Sequence, residues 1–158
     1  MTTTHPPLLS LADFVAHWQG HRALTRRVIE AFPEDPLLTF TAAPPMRPFV
    51  LLANEIHLVS EMTLEGLSGG GWTEPDWTAG FRSKAELLKA WDALSGRIAA
   101  EAPMADPAFF ARTHLLPWGE MTGWVAAIYT IDNEIHHRAQ GYVYLRALGI
   151  QPPAFYER

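Results

Sequence analysis

Acidic, amide and imidazole side chains cluster in one Pro-free stretch near the C-terminal end of the sequence. Asp132, Asn133 and Glu134 precede an adjacent pair, His136 and His137. In a helix, the i, i+4 spacing puts Asn133 and His137 on one face. The same spacing puts Asp132 and His136 on a neighbouring face. Such groups are costly to bury without partners, and a metal needs ligands that converge from one side, so only one pair can easily share a metal.

A second polar group interrupts an apolar stretch earlier in the chain. Asn54, His57 and Glu61 recur at helical spacing between Val50 and Leu64. A buried helix face with a polar centre is what a site inside a helical bundle produces. Imidazoles from both stretches would suit a divalent ion such as Zn, Ni or Fe. Spacing alone equally permits a structural cluster, in which two buried histidines bond to Glu and Asn without a metal.

The composition limits the other classes of function. The 158 residues are 48% hydrophobic and 18% charged, which indicates one globular domain over residues 1–158. A net charge of −5 argues against a nucleic-acid-binding surface. The sequence has no Cys, so any thiol chemistry needs a small-molecule thiol. No apolar run approaches the roughly 20 residues that span a bilayer, and the N-terminus lacks signal-peptide features, so we expect a cytoplasmic protein.

Apolar periodicity predicts four long helices separated by long connectors. Ser10 with Asp13, and Ser83 with Glu86, are spaced as helix-capping pairs. Residues 1–9 are predicted to form a tail and residues 150–158 a C-terminal extension. The predicted helices run over about residues 11–32, 48–67, 84–102 and 120–148. The connectors are residues 34–48, 72–80 and 105–118, the last with a short strand or turn around residues 109–116.

The last predicted helix carries two stripes. The aliphatic stripe comprises Trp124, Ile128, Ile131, Ile135 and Tyr142, and the small-residue stripe comprises Ala126, Thr130, Asn133, His137, Gly141 and Tyr144. Because both stripes cannot be exposed to solvent, one should face the bundle interior. The other should face a further helix or a second subunit, and we therefore expect a homodimer.

This helix resembles the last helix of the DinB-like family of metal-binding four-helix bundles. Members of that family typically show His-x-x-x-His-Arg-Gly-Gln, then Tyr-Leu-Arg, a Gly and a Pro pair. The corresponding residues here are Asn133, His137-Arg138-Ala139-Gln140, Tyr144-Leu145-Arg146, Gly149 and Pro152-Pro153. The resemblance extends roughly from Ser10 to the end of the chain. Asn133 stands where the family has its first His of this motif, and Ala139 replaces the Gly.

The resemblance implies an all-α, four-helix bundle in up-down-down-up order. It also implies a divalent metal (Zn, Ni or Fe) held by His57, His137 and Asn133. Glu61, Glu134 and His136 would then orient these ligands or transfer protons. The implied activity is that of a metal-dependent thiol transferase or hydrolase, which would use a low-molecular-weight thiol or another small-molecule ligand. The alternative is a non-catalytic stress-response bundle, a binding or structural dimer with a vestigial metal site.

Overall fold

The structure, a computed structural model, describes residues 9–78 and 80–158 and is mostly helical. In this part of the chain the α-helices are α1 (Leu11–Ala31), α2 (Glu34–Thr39), α3 (Phe49–Leu67), α4 (Lys84–Glu101), α5 (Pro107–Ala111) and α6 (Gly123–Ala147). Strands β1 (Thr113–Leu116) and β2 (Gly119–Thr122) form an antiparallel hairpin, and Ala102–Met104 form a 3₁₀ turn. The predicted tail lies outside the described residues except for Leu9.

The predicted starts of α1 and α4 agree with the structure, because local capping decides them. Ser10 and Asp13 form a complete capping box, in which each side chain accepts a hydrogen bond from the other residue's backbone N–H. Ser83 caps α4 by accepting from the N–H of Glu86. The Glu86 carboxylate accepts instead from the backbone N–H of Arg82, at 2.8 Å, so only half of the second predicted box forms.

Four long helices form the bundle around a continuous interior. Helix α1 packs against α4 and α6, and α3 packs against the same two helices. This arrangement puts α1 and α3 diagonally across the bundle from each other. Two clusters of buried apolar side chains fill the interior, one at each end of the bundle. The polar residues singled out from the sequence lie mainly on α3 and α6, which are neighbours.

Two connectors contain more structure than periodicity predicts. The segment after α1 holds the short helix α2, whose Leu37 is fully buried. The segment after α4 holds α5 and the β-hairpin. Helix α6 begins at Gly123, not at Glu120 as predicted, because Gly119–Thr122 pairs with Thr113–Leu116 and Thr122 caps the helix. These elements depend on pairing between segments, which a local period cannot reveal.

Helix α6 turns its small-residue stripe inwards, and this settles which predicted stripe faces the interior. Ala126, Thr130 and Tyr144 are at most 1% exposed, whereas Ile128 and Ile135 on the aliphatic stripe are 47% and 39% exposed. Although α6 has 25 residues, neither it nor another helix of the described chain is apolar enough over a sufficient length to cross a membrane.

Candidate functional site

A polar cluster joins α3 to α6 at the middle of the bundle. Nε2 of His137 lies 2.8 Å from Oε1 of Glu55, and Nδ2 of Asn133 lies 3.5 Å from the same oxygen. The second oxygen of Glu55 accepts from Nη2 of Arg47 at 2.7 Å. The i, i+4 spacing therefore brings Asn133 and His137 to one carboxylate, which α3 supplies. We call Arg47, Glu55, Asn133 and His137 the Glu55 cluster.

The Glu55 cluster borders an open cavity of about 420 Å³. Glu55 and Arg47 line it together with Leu51, Asn54, Val59, Trp77, Trp118 and Tyr129. The rings of Trp118, on the β-hairpin, and Tyr129, on α6, lie 5.1 Å apart between their centroids. Aromatic and aliphatic walls with a few convergent polar groups are typical of small-molecule sites. We call this cavity the α3–α6 groove.

The protonation states within the Glu55 cluster follow from burial and charge. Burial lowers the pKa of His137, although its hydrogen bond to Glu55 opposes that change. Burial acts to raise the pKa of Glu55, but the hydrogen bonds from Arg47 and His137 outweigh it and lower the pKa. At neutral pH, a neutral His137 therefore donates its Nε2 proton to a Glu55 carboxylate. Its Nδ1 is buried and has no hydrogen-bond partner among the described residues.

His57 lies outside the Glu55 cluster. Residues two positions apart on a helix do not face the same side, so Glu55 and His57 point in different directions from α3. The His57 ring is 9% exposed and packs edge-on against Phe81, with centroids 5.5 Å apart. Its Nδ1 is buried and has no hydrogen-bond partner in the described part of the chain.

The three residues predicted to orient the ligands occupy three different environments. Glu61 is on the surface and forms an ion pair with Arg97 at 3.2 Å. Glu134 is fully buried and accepts a hydrogen bond from Thr25 of α1 at 2.5 Å, so it faces away from the Glu55 cluster. His136 alone of the three adjoins the cluster, because its ring lies 4.9 Å from the ring of His137.

The donors present do not fit a resident metal with three strong ligands. Within residues 9–78 and 80–158, no three His, Asp or Glu side chains gather closely enough to hold a metal ion. The Glu55 cluster offers one imidazole, one carboxylate and the amide oxygen of Asn133. Arg47 also occupies the second carboxylate oxygen, and its cation would repel a metal held there.

Sequence reasoning missed the two residues that complete the cluster, Glu55 and Arg47. One signal for Glu55 was available, because it is the only Asp, Glu, Lys or Arg between Phe49 and Ser60. A lone carboxylate in an apolar helix that packs in a bundle needs a partner. Arg47 precedes α3 in a Pro-rich connector, and its position in the sequence does not indicate that it pairs with Glu55.

The buried His57 makes stability depend on pH. Burial, reinforced by the Arg22 guanidinium, lowers its pKa to about 4. The unfolded state therefore binds a proton that the native state does not, and stability is lost as pH falls from about 6.5 to about 4. We expect His57→Gln to flatten the dependence of the unfolding free energy on pH by up to about 1.4 kcal/mol per pH unit in that window. Urea unfolding at several pH values measures it.

The matched control for this prediction is His136→Gln, on the exposed face of α6. Its imidazole is exposed, so it should change the dependence on pH less than His57→Gln does. Because His21 is retained in both variants, its own titration cancels from the comparison. Equal slopes for His57→Gln and His136→Gln would contradict the prediction.

The comparisons with known proteins agree with this architecture. The model of the DinB family matches residues 1–158. A DinB-like protein from Bacillus cereus ATCC 10987 is similar in structure, with a TM-score of 0.72 and 17% identity, over 92% of this chain and 97% of that one. The DinB-like protein YjoA from Bacillus subtilis has a TM-score of 0.68 and 19% identity, over 92% and 98%. No curated protein matches. The chain belongs to the DinB family.

Proposed function

We propose that this chain is a small-molecule-binding bundle of the DinB family, with its ligand in the α3–α6 groove and a vestigial metal site. The observation that carries the proposal is the 2.8 Å hydrogen bond between His137 and Glu55 at the wall of that groove. Where the family motif has a histidine, Asn133 contributes only an amide. Arg47 and Glu55 compensate each other's charge without a metal ion, while Nδ1 of His137 and Oδ1 of Asn133 have no hydrogen-bond partner among the described residues.

Each part of the groove has a separate role in binding. Glu55 keeps a quarter of its side chain exposed, so its carboxylate can accept a hydrogen bond from the ligand. Arg47 and His137 hold that carboxylate in place from two sides. Trp118 and Tyr129 provide an apolar wall that displaces water from the ligand. A ligand with a polar donor and an apolar or aromatic body suits this arrangement.

The metal-dependent thiol transferase or hydrolase, with Zn, Ni or Fe at His57, His137 and Asn133, stays the competing prediction. Elemental analysis of protein purified without a His-tag or chelator separates the two. We expect well under one equivalent of metal, with little uptake when Zn or Ni is added. Near-stoichiometric metal that is lost in the His57→Ala/His137→Ala double variant would overturn our proposal.

Restoring a histidine should create a metal site. Asn133→His would put a second imidazole beside His137 and the Glu55 carboxylate, a two-histidine, one-carboxylate donor set that binds zinc well. We expect zinc affinity to rise by about 100-fold or more, since one added strong ligand contributes several kcal/mol. Isothermal titration calorimetry measures the affinity.

The control for the added imidazole is Val143→His, also on α6 but 54% exposed and without a histidine one turn away. It should not raise zinc affinity. Equal affinities for both variants and for the unsubstituted chain would contradict the idea of a vestigial site.

We also propose the up-down-down-up order of the long helices, and the two apolar clusters support it. The first cluster joins the N-terminal halves of α1 and α6 to the C-terminal halves of α3 and α4. The second joins the opposite halves. Homodimer formation is a further proposal, tested by analytical ultracentrifugation. A cytoplasmic location and a stress-response role stay predictions.

A further inference from the structure

A second cavity, of about 410 Å³, lies between α1, α6 and the C-terminal segment. Its α6 wall is Ile135, Arg138, Ala139, Tyr142 and Arg146, and His21, Phe155 and Arg158 complete it. These α6 residues recur at intervals of three and four, so they form a continuous face of the helix. It is a different face from that of Asn133 and His137. We call it the arginine cavity.

Positive charge in the arginine cavity exceeds negative charge. Arg138 is 6% exposed and has Glu134 at 3.6 Å on its inner side. Arg146 and Arg158 are exposed, and neither has a carboxylate at salt-bridge distance among the described residues. The nearby Glu157 pairs with Arg27. Two guanidiniums therefore have no side-chain carboxylate as a partner among the described residues, in a protein whose net charge is −5.

His21 shows that the arginine cavity has too many hydrogen-bond donors. Its Nδ1 lies 2.9 Å from Nη2 of Arg138, and its Nε2 lies 3.0 Å from Nη1 of Arg158. Guanidinium groups only donate, and a neutral imidazole accepts at one nitrogen only. Burial, together with the two guanidiniums, lowers the pKa of His21 to about 3, so the ring is neutral at pH 7. One guanidinium therefore meets an N–H group and needs an acceptor from elsewhere.

Tyr142 adds an independent donor to the same cavity. Its hydroxyl oxygen is buried and has no hydrogen-bond partner in the described part of the chain. Such a group costs about 1–3 kcal/mol unless it is paired. The Arg146 guanidinium lies 5.7 Å from the centre of the Tyr142 ring, so the hydroxyl and a cation border the same space. The Tyr142 hydroxyl therefore lacks an acceptor, whereas Arg138 already donates to Thr25 and to the backbone carbonyl of His21.

We propose that the arginine cavity binds a phosphate monoester of a small apolar molecule. Its charge of −1.5 to −2 near pH 7 would attract the guanidiniums of Arg146 and Arg158, which have no side-chain carboxylate as a partner. Its oxygens would accept from Arg146, from Arg158 and from the Tyr142 hydroxyl. Phe155 and Ile135, which are 67% and 39% exposed, would cover the apolar part.

Phenyl phosphate is the probe, titrated by calorimetry at constant ionic strength beside inorganic phosphate and benzoate. We expect phenyl phosphate to bind at one site and about tenfold more tightly than either of the others, because inorganic phosphate lacks the ring and benzoate has a single charge and only two acceptor oxygens. Equal millimolar affinity for all three would mean non-specific ion binding and would overturn the proposal. Tighter binding of benzoate would assign a carboxylate ligand and overturn it too.

Arg146→Gln and Arg158→Gln should each weaken phenyl phosphate binding about tenfold, and Arg146→Lys should restore much of the loss. Both arginines are exposed, so the variants should fold. The control is Arg112→Gln, an exposed arginine that pairs with Asp106. A similar loss in Arg112→Gln would contradict a local site. Glu55→Gln should leave binding unchanged, which separates this proposal from that for the α3–α6 groove.

Discussion

Glu134→Ala should lower the free energy of unfolding by about 3–5 kcal/mol, as expected when one partner of a buried ion pair is removed. Glu134 is 0% exposed and its carboxylate lies 3.6 Å from Arg138. Arg22, which is 1% exposed, also interacts with it electrostatically. Burial lowers the pKa of Arg22 to about 10, so it is still cationic at pH 7. The substitution would leave Arg138 buried without its carboxylate partner, and Arg22 would keep only its electrostatic interaction with Asp92.

Urea denaturation at pH 7 measures this loss, and Glu61→Ala is the matched control. Glu61 forms an exposed ion pair with Arg97, so its removal should change stability by less than about 1 kcal/mol. Glu134→Gln retains an acceptor for the Thr25 hydroxyl and should lose less than Glu134→Ala. If Glu134→Ala and Glu61→Ala had equal effects, the buried charge network would not stabilise the bundle.

Gly141→Ala should destabilise the protein by about 2–3 kcal/mol, the opposite of what alanine usually does in a helix. A Cβ atom at Gly141 would lie 2.5 Å from Cε2 of Phe49. Phe49 cannot easily withdraw, because it is fully buried and stacks on Phe32 with ring centroids 4.8 Å apart. Thermal and urea unfolding measure the change.

Gly96→Ala provides the comparison, since Gly96 is also in a helix, α4, and nothing lies within 4 Å of its added Cβ. Relief of the glycine's helix penalty should stabilise this variant by about 0.5–1 kcal/mol. The two identical substitutions should therefore differ in sign. Stabilisation by Gly141→Ala would show that α3 and α6 can separate at this point without cost.

The sequence was sufficient for features that neighbouring residues decide. The Ser10 cap, the end of α3 before the glycine run at residues 69–71, and the existence of two stripes on α6 depend on local hydrogen bonds, backbone freedom and helical period, whereas only the structure shows which stripe faces inwards. The hairpin was predicted only as a short strand or turn. Its strands are stabilised by each other. The later start of α6 could therefore not be predicted from the apolar periodicity of that helix alone.

The partner of His137 could not be predicted for a geometric reason. Glu55 and His57 lie on either side of a stripe on α3 that is at most 1% exposed: Phe49, Leu52, Ala53 and Ile56. This stripe turns towards the core, and the rotational setting of α3 about its axis decides whether Glu55 or His57 faces α6. Packing against α4 and α6 sets that rotation. The spacing of residues along α3 does not reveal it.

The positions of the tryptophans allow ligand binding in the α3–α6 groove to be followed by intrinsic fluorescence. Trp77 and Trp118, which line it, are 40% and 37% exposed, whereas Trp18 and Trp91 are completely shielded. An aqueous quencher such as acrylamide therefore reaches the groove indoles far more readily than those of the core. A molecule that fills the groove will shield them, so the unlabelled protein reports occupancy through its own fluorescence.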